Sequence, residues 1–158
     1  LQSYGITHII QVVEVDQNPH RDEFQYFNVC VSDRVEEDLS THFETCSDYI
    51  HSVLSTTSNN NTNLKSNKVF VHCGAGISRS AALVIAYLMK YDVRFEGQFR
   101  AAYEYLKLRR MQVKPNRGFK KQLELYQQML LLQRTSVTIV TSGEVSSSNV
   151  QLEVGCSN

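Results

Sequence analysis

A short strand, a glycine-containing turn and an apolar helix follow one another without interruption between residues 68 and 91. Residues 68–72 (KVFVH) have the length and apolar content of a strand, and they run directly into CGAGISRS. From Ser80 to Tyr91 the sequence is apolar on nearly every side, which is typical of a helix packed in the centre of a domain. Ligands of α/β sheets bind where strands lead into helices, so this turn is predicted to hold the functional site.

Further strands and helices alternate on both sides of this segment. Residues 6–13 and 24–31 are predicted strands, and apolar residues at helical spacing mark three amphipathic helices. Asp38 or Ser40 is the predicted N-cap of the first of these helices. The alternation predicts an α/β fold with a central, largely parallel sheet flanked by helices. The three apolar stripes are Phe43, Cys46, Ile50 and Val53; Phe95, Phe99, Tyr103 and Leu106; and Phe119, Leu123, Tyr126 and Leu130.

Two polar segments set the predicted domain boundaries. Residues 55–63 are all Ser, Thr or Asn, so residues 55–67 are interpreted as a flexible surface insertion. Beyond Arg134 the chain is again rich in Ser, Thr and Asn, and residues 135–158 are predicted to form a polar tail. The folded domain is therefore predicted to span residues 1–134, and both polar segments are expected to be mobile.

Composition argues against several functional classes. The 158 residues suit one domain, and 16 Lys and Arg balance 16 Asp and Glu, which argues against a nucleic-acid-coating protein. Four cysteines, at positions 30, 46, 73 and 156, are too few for a disulfide scaffold and lack the paired spacing of a zinc site. No apolar run has the length of a membrane span, and no signal peptide is visible. We expect an intracellular protein, cytoplasmic or nuclear, without a metal, a cofactor or a membrane or nucleic-acid partner.

The turn His-Cys-Gly-Ala-Gly-Ile-Ser-Arg-Ser at residues 72–80 has the composition of an anion site. Its glycines let the backbone curl so that successive N–H groups converge near the positive end of the following helix. Arg79 adds a planar fork that can hold two phosphate oxygens, and the same field favours a Cys73 thiolate, a nucleophile for in-line attack on phosphorus. The alternative is that Cys73 is a buried core thiol and the glycines only shape a turn. The predicted phosphate-binding residues are Gly74, Ala75, Gly76, Ile77, Ser78 and Arg79.

The motif HCGAGISRS resembles the signature H-C-x-x-G-x-x-R-[ST] of the cysteine-dependent protein phosphatases, and within them the small dual-specificity class. The resemblance extends from YGITHII to about Tyr126 and includes AALVIAYLM and PNRGFKKQL. VHCGAGISRSAALVIAYLM is most similar to the phospho-Ser/Thr/Tyr-interacting group, some members of which have lost catalysis because glycine replaces the cysteine. Cys73 is present here, so that reason for inactivity does not apply. The resemblance further implies a strand pair before Leu1, so the domain is expected to lack its N-terminal strands, expose a sheet edge and be less stable than an extended chain.

The resemblance also implies a role for each residue around the motif. Cys73 would be the nucleophile and Arg79 the clamp for the transition state, while His72 would support the loop and favour the thiolate. Ser80 would donate a hydrogen bond to the sulfur and ease its departure from a phosphocysteine, and Asn116 would brace the loop from behind. Each supporting residue has a simpler reading: a strand-end histidine, a helix-capping hydroxyl and a helix cap after a proline.

A leaving alkoxide or phenolate needs a proton, and a carboxylic acid on a loop is the usual donor. Asp33 in VSDRVEEDLSTHF resembles the family's acid, which precedes a short polar stretch, a Leu-Ser pair and an aromatic residue. Glu36, Glu37 and Asp38 compete for the role, because a run of acids is often only a solvated surface.

Residues 74–78 carry no lysine, whereas relatives that act on inositol lipids have basic residues in this loop. The sequence is therefore predicted to encode a phosphatase for phosphomonoesters on Tyr, Ser and Thr of phosphoproteins. The alternatives are a phosphoprotein-binding module with negligible turnover or, with less support, a phosphoinositide or RNA phosphatase. Four basic residues near the end of the predicted third helix could bind a second phosphate, although stabilisation of the helix C-terminus is the preferred reading. They are Arg109, Arg110, Lys114 and Arg117.

Overall fold

The computed structural model describes residues 1–14, 18, 20–56 and 67–143. One-turn 3₁₀ helices at Gln2–Tyr4 and Ser40–His42 accompany the regular elements, and the first ends at Gly5, whose φ is 71°. The strands are β1 (His8–Val12), β2 (Gln25–Val29) and β3 (Val69–Cys73). The helices are α1 (Phe43–Ser55), α2 (Arg79–Tyr91), α3 (Phe99–Arg109) and α4 (Arg117–Gly143).

The three strands form one parallel sheet in the order β2-β1-β3. β1 is the central strand, and its apolar residues Ile9, Ile10 and Val12 are almost completely buried, as expected for a strand covered on both faces. Val12 lies opposite Val29 on one side and Cys73 on the other, so the three carboxyl ends are level. The predicted α/β fold with a parallel sheet is confirmed.

α2 occupies the centre of the helical layers. It packs against α1, α3, α4 and β3, and eight of its 13 residues are buried. Phe43 of α1, Ala102 of α3 and Phe119 and Leu123 of α4 are fully buried in the same hydrophobic core as α2. The prediction of a helix buried on several sides is confirmed. The same packing fixes the position of the N-terminal end of α2, which follows β3 in the chain.

Two element boundaries differ from the sequence prediction. Phe95 is buried but precedes α3, in a turn where Glu96 and Gly97 have φ values of 47° and 83°, outside the helical region. α4 continues to Gly143, past the predicted domain end at Arg134, so the first nine residues of the predicted polar tail are helical. The hydroxyl groups of Thr135 and Ser136 donate to the Leu132 carbonyl oxygen at 2.8 and 2.9 Å, which makes these polar residues compatible with a helix.

The predicted insertion and tail are described only in part. Residue 55 still belongs to α1. Asn67, at the other end of the predicted insertion, donates from Nδ2 to the carbonyl oxygens of Val53 and Thr56, at 3.2 and 3.1 Å. Residues 57–66 and 144–158 lie outside the described residues, so their mobility stays a prediction. Among the described residues, no helix combines the length and apolar character needed to cross a membrane.

A polar cluster joins α1 to α2 and α4. The Lys90 ammonium group donates to the carboxylates of Glu44 and Asp48, the latter at 2.6 Å, and the hydroxyl groups of Tyr91 and Tyr126 donate to the same carboxylates at 2.7 Å. Hydrogen bonds from Lys90 and Tyr91 hold the pKa of Asp48 below its usual value. The lysine side chain is 18% exposed, so removing it leaves two carboxylates facing each other beside the core.

We expect Lys90→Met to lower the free energy of unfolding at neutral pH by about 1–2 kcal/mol, because two charge-assisted hydrogen bonds are lost from partly exposed carboxylates. Because the pKa of Asp48 is lowered in the folded protein, its ionised carboxylate stabilises the fold at any pH above the pKa of the unfolded state. This contribution disappears as the pH falls through the pKa of the folded state. The difference between the two proteins should therefore shrink on acidification. Urea unfolding at several pH values measures it, with Lys121→Met on the exposed surface of α4 as control; a difference independent of pH would contradict the account.

Candidate active site

Residues 73–80, the site loop, join the end of β3 to the first turn of α2. Gly76 has φ 64°, a left-handed conformation that favours glycine. Two carbonyl oxygens of the loop are held from outside: Arg110 Nε donates to the Gly76 oxygen at 3.1 Å, and the Lys114 backbone N–H donates to the Ile77 oxygen at 2.9 Å. Because C=O and N–H of a trans peptide point in opposite directions, these contacts turn the following N–H groups into the loop.

The Cys73 thiol lies buried at the centre of this ring of donors. Its Sγ is 3.2 Å from the Ser80 hydroxyl oxygen, and the backbone N–H groups of Gly76, Ile77 and Ser80 stabilise its anion. Burial by itself raises the pKa of the thiol, but the hydrogen bonds outweigh this effect and bring the pKa below the ordinary value. The site loop therefore stabilises a thiolate.

A second buried cysteine shows what the loop contributes. Cys46 in α1 is fully buried, and burial raises the pKa of its thiol to about 12. Cys46 is thus an inert core thiol, the simpler reading considered for Cys73. The opposite shift at Cys73, despite its own burial, comes from the backbone and hydroxyl donors that surround it.

Arg79 at the start of α2 presents its guanidinium group to the mouth of the loop. Nη1 donates to the Val31 carbonyl oxygen at 3.0 Å, and Nη2 lies 3.5 Å from the position that a Cβ on Gly74 would take. Nε is buried and has no hydrogen-bond partner within the described part of the chain. A buried cationic donor without a partner is costly, so this atom is available for an anion in the loop.

Asp33 lies at the edge of the site loop although it is distant in sequence. Its Oδ1 accepts hydrogen bonds from the Ser78 hydroxyl at 2.7 Å and from Asn116 Nδ2 at 2.9 Å. The Ser78 hydroxyl oxygen in turn accepts from the Asn116 backbone N–H at 3.0 Å. Asn116 therefore braces both the loop and the carboxylate, and its Oδ1 also caps α4 by accepting from the Phe119 N–H at 3.0 Å.

The competing acids Glu36, Glu37 and Asp38 are not hydrogen-bonded to the site loop within the described residues. Asp38 accepts from the backbone N–H and hydroxyl of Ser40, and these contacts lower its pKa. The predicted capping of α1 by Asp38 or Ser40 is wrong, because the 3₁₀ turn at Ser40–His42 intervenes and His42 is the N-cap of α1. Within the described residues, no side-chain hydrogen bond or ion pair joins Glu36 or Glu37 to the site loop. Of the four acids considered, Asp33 alone is hydrogen-bonded to residues of the site.

His72 and the basic residues at the end of α3 differ in whether they contact the site loop. The His72 ring stacks on Phe70 with centroids 5.3 Å apart, and within the described residues it makes no hydrogen bond to the loop. Arg109 lies over the Tyr105 ring at 3.5 Å at the end of α3, in keeping with the helix C-terminal reading. Arg110 instead holds Gly76, a contact that sequence reasoning missed.

Comparison with known proteins places the chain among characterised domains. The family model described as "Dual specificity phosphatase, catalytic domain" matches residues 1–129. The chain is 38% identical over 130 residues to Protein phosphatase Slingshot of Drosophila melanogaster, covering 82% of this chain and 11% of that protein. It is 36% identical over 141 residues to human Dual specificity protein phosphatase 14, covering 89% of this chain and 65% of that protein. The chain thus spans less than two thirds of the length of these relatives.

Solved structures of similar sequence share the fold. The human tyrosine phosphatase-like serine/threonine/tyrosine-interacting protein is 34% identical, with a TM-score of 0.69 over 82% of each chain. A mouse putative dual specificity phosphatase, solved in complex with zinc tungstate, is 30% identical, with a TM-score of 0.71 over 84% of this chain and 76% of that one. The residues matched by the family model, 1–129, include the three strands, the site loop and helices α1 to α3.

Proposed function

Because the chain belongs to the family of dual specificity phosphatase catalytic domains, we propose that it is a cysteine-dependent protein phosphatase that hydrolyses phosphomonoesters on Tyr, Ser and Thr of phosphoproteins. The observation that carries the proposal is the Cys73 thiol, whose pKa is lowered within a ring of backbone donors despite burial. A thiolate beneath an anion nest is suited to attack a bound phosphate.

The proposed reaction has two steps. In the first, the Cys73 sulfur attacks phosphorus, the bond to the leaving oxygen breaks, and protonated Asp33 gives its proton to that oxygen. In the second, water attacks the phosphocysteine, Asp33 takes a proton from the water, and inorganic phosphate and the thiolate are released. The Ser80 hydroxyl, 3.2 Å from the sulfur, stabilises the departing thiolate, and Arg79 holds the equatorial phosphate oxygens in both steps.

The substrate class follows from the loop and its surroundings. Residues 74–78 carry no charged side chain, which suits a single phosphate rather than a polyphosphorylated lipid or RNA end. The reaction uses only side chains and water, so no metal or cofactor is part of the proposal. We place the protein in the reducing interior of the cell, in the cytoplasm or nucleus, because its nucleophile is a thiolate sensitive to oxidation.

Similarity to a protein named as serine/threonine/tyrosine-interacting supports a second candidate, a phosphoprotein-binding module. We place the chain closest to that group, although its Cys73 retains the nucleophile. Turnover separates the two functions, since both use the same anion nest.

Hydrolysis of p-nitrophenyl phosphate with and without orthovanadate tests the proposal. We expect turnover that orthovanadate abolishes, with inactivation by iodoacetate at a pH below the ordinary thiol range. The protein could instead show no turnover although iodoacetate alkylates its thiol in that pH range and phosphate slows the alkylation. That result would reject the enzyme in favour of the binding module.

We expect Arg79→Lys to weaken both phosphate binding and turnover, because a single ammonium charge cannot reproduce the bidentate fork of the guanidinium group. Kinetics with p-nitrophenyl phosphate and competition by inorganic phosphate measure the two effects. Arg109→Lys is the matched control, since Arg109 lies over Tyr105 away from the loop. Unchanged phosphate affinity in the Arg79 variant would contradict the assignment.

A further inference from the structure

Residues 33–39, the acid loop, carry Asp33 and run along the N-terminal end of α4. We propose that Asn116, Gly118 and Gln122, which face this loop, form a positioning surface that determines where the Asp33 carboxylate lies relative to Cys73. The inference rests on the proposed function for the role of Asp33. It extends the bracing described for Asn116 to two further residues of PNRGFKKQL, Gly118 and Gln122.

Gly118 brings the acid loop into direct contact with the helix backbone. A Cβ at position 118 would lie 1.9 Å from the Val35 carbonyl oxygen and 2.8 Å from its carbonyl carbon, whereas real Cβ atoms are essentially never closer than 3.0 Å to a neighbour. The nearest atoms belong to backbone, so no side-chain rotation relieves the clash. Glycine disfavours helices relative to alanine, and this close approach accounts for its presence in the first turn of α4.

Gln122 fixes the far end of the acid loop with both ends of its amide group. Its Nε2 donates to the Glu37 carbonyl oxygen at 2.8 Å, and its Oε1 accepts from the Leu39 backbone N–H at 3.0 Å. Leu39 is fully buried, so the loop is anchored to the core at this point. An amide group is required here because one partner is an acceptor and the other a donor.

Asn116 fixes the end of the acid loop that carries Asp33. Its Nδ2 contacts Asp33 Oδ1 at 2.9 Å and the Arg34 carbonyl oxygen at 3.2 Å. The contacts of Asn116, Gly118 and Gln122 therefore follow the acid loop in order, from Asp33 to Leu39. Val35 and Glu36 between them are exposed, so the face of α4 rather than a hydrophobic core sets the path of this segment.

Displacement of the acid loop should affect only the step that needs its proton. In Gly118→Ala the Val35 carbonyl has to move by about 1 Å, a displacement that can reduce catalysis as much as a hundredfold. We expect turnover of phenyl phosphate, whose phenolate is a poor leaving group, to fall roughly tenfold to a hundredfold. Turnover of p-nitrophenyl phosphate should fall much less, and inhibition by orthovanadate should be unchanged because the site loop is untouched.

A second variant and a double variant separate positioning from general damage. Gln122→Leu, close in size but without the amide, should show the same dependence on the leaving group, and Lys121→Ala on the exposed side of α4 should behave as wild type. With phenyl phosphate, Gly118→Ala combined with Asp33→Asn should be no slower than Asp33→Asn alone, because both changes remove the same proton transfer. Equal losses for both substrates, additive with Asp33→Asn, would overturn the proposal, as would wild-type rates in both variants.

Hydrogen exchange tests the inference independently of turnover. Gly118→Ala should increase amide exchange in residues 34–39 and leave residues 74–80 as protected as in wild type. Unchanged exchange in the acid loop would overturn the inference even in an active enzyme. If the wild-type protein proves inactive, the proposed function fails, while faster exchange confined to the acid loop would still support its seating on α4.

Discussion

Cys73→Ser is expected to reduce phosphatase turnover by roughly 10⁴-fold or more while phosphate binding persists. The thiol of Cys73 has a lowered pKa because the Ser80 hydroxyl and the N–H groups of Gly76 and Ile77 stabilise its anion. A serine hydroxyl at neutral pH remains protonated, so these donors create no nucleophile from it. The donors themselves survive the substitution and continue to bind the tetrahedral anion. Turnover of p-nitrophenyl phosphate and calorimetric binding of a phosphotyrosine peptide measure the two effects.

Cys46→Ser is the matched control, because Cys46 is a buried thiol whose pKa is raised to about 12. It should lose stability, since a hydroxyl without a partner replaces a core thiol, but the folded protein should keep its activity. Substantial turnover by the Cys73 variant, or loss of both turnover and peptide binding in a protein that remains folded, would contradict the assignment.

Asp33→Asn is expected to slow hydrolysis of phosphoserine peptides and phenyl phosphate by roughly 10²–10⁴-fold. The leaving oxygen of these substrates needs a proton, and an amide cannot supply it. With an aryl phosphate whose phenol is strongly acidic, the loss should be small. The fall in rate as the pH rises should also disappear, because that fall reports ionisation of the acid. Rates measured across a series of phenols and across pH give both results.

Glu36→Gln serves as the control for Asp33→Asn. Glu36 lies on the same acid loop, is exposed, and makes no hydrogen bond to the site loop within the described residues, so the variant should keep the wild-type dependence on leaving group and pH. If Asp33→Asn were equally harmful for every substrate and kept the wild-type pH profile, Asp33 would have a structural role through Ser78 and Asn116. Glu36, Glu37 and Asp38 would then be tested as the donor.

Local sequence patterns were sufficient to predict the parallel sheet and the site loop. The β3–loop–α2 unit is contiguous in the chain, and its apolar spacing and glycines report the geometry of neighbouring residues directly. The donors that lower the pKa of Cys73 all come from residues 76–80, within one local segment of the chain. The buried position of α2 likewise follows from its lack of a polar face.

The parts that could not be predicted join residues far apart in sequence. Asn116 meets Asp33 across 83 positions, and Gln122 meets Glu37 across 85, because α4 folds back beside the acid loop. Arg110 meets Gly76 across 34 positions, and no periodicity signals a side chain that binds a loop carbonyl. Composition also did not predict the length of α4, which includes residues 135–143 because hydroxyl groups such as that of Thr135 can bond back to the helix.

Trapping the covalent intermediate tests the central claim most directly. Ser80→Ala removes the hydroxyl that lies 3.2 Å from the Cys73 sulfur, so breakdown of a phosphocysteine should slow and the intermediate should accumulate. The protein is mixed with p-nitrophenyl phosphate, quenched in acid and analysed by mass spectrometry of its peptides. We predict one phosphate on Cys73, formed together with a burst of p-nitrophenol. Steady turnover with no phosphate on Cys73, or phosphate on another residue, would contradict the account.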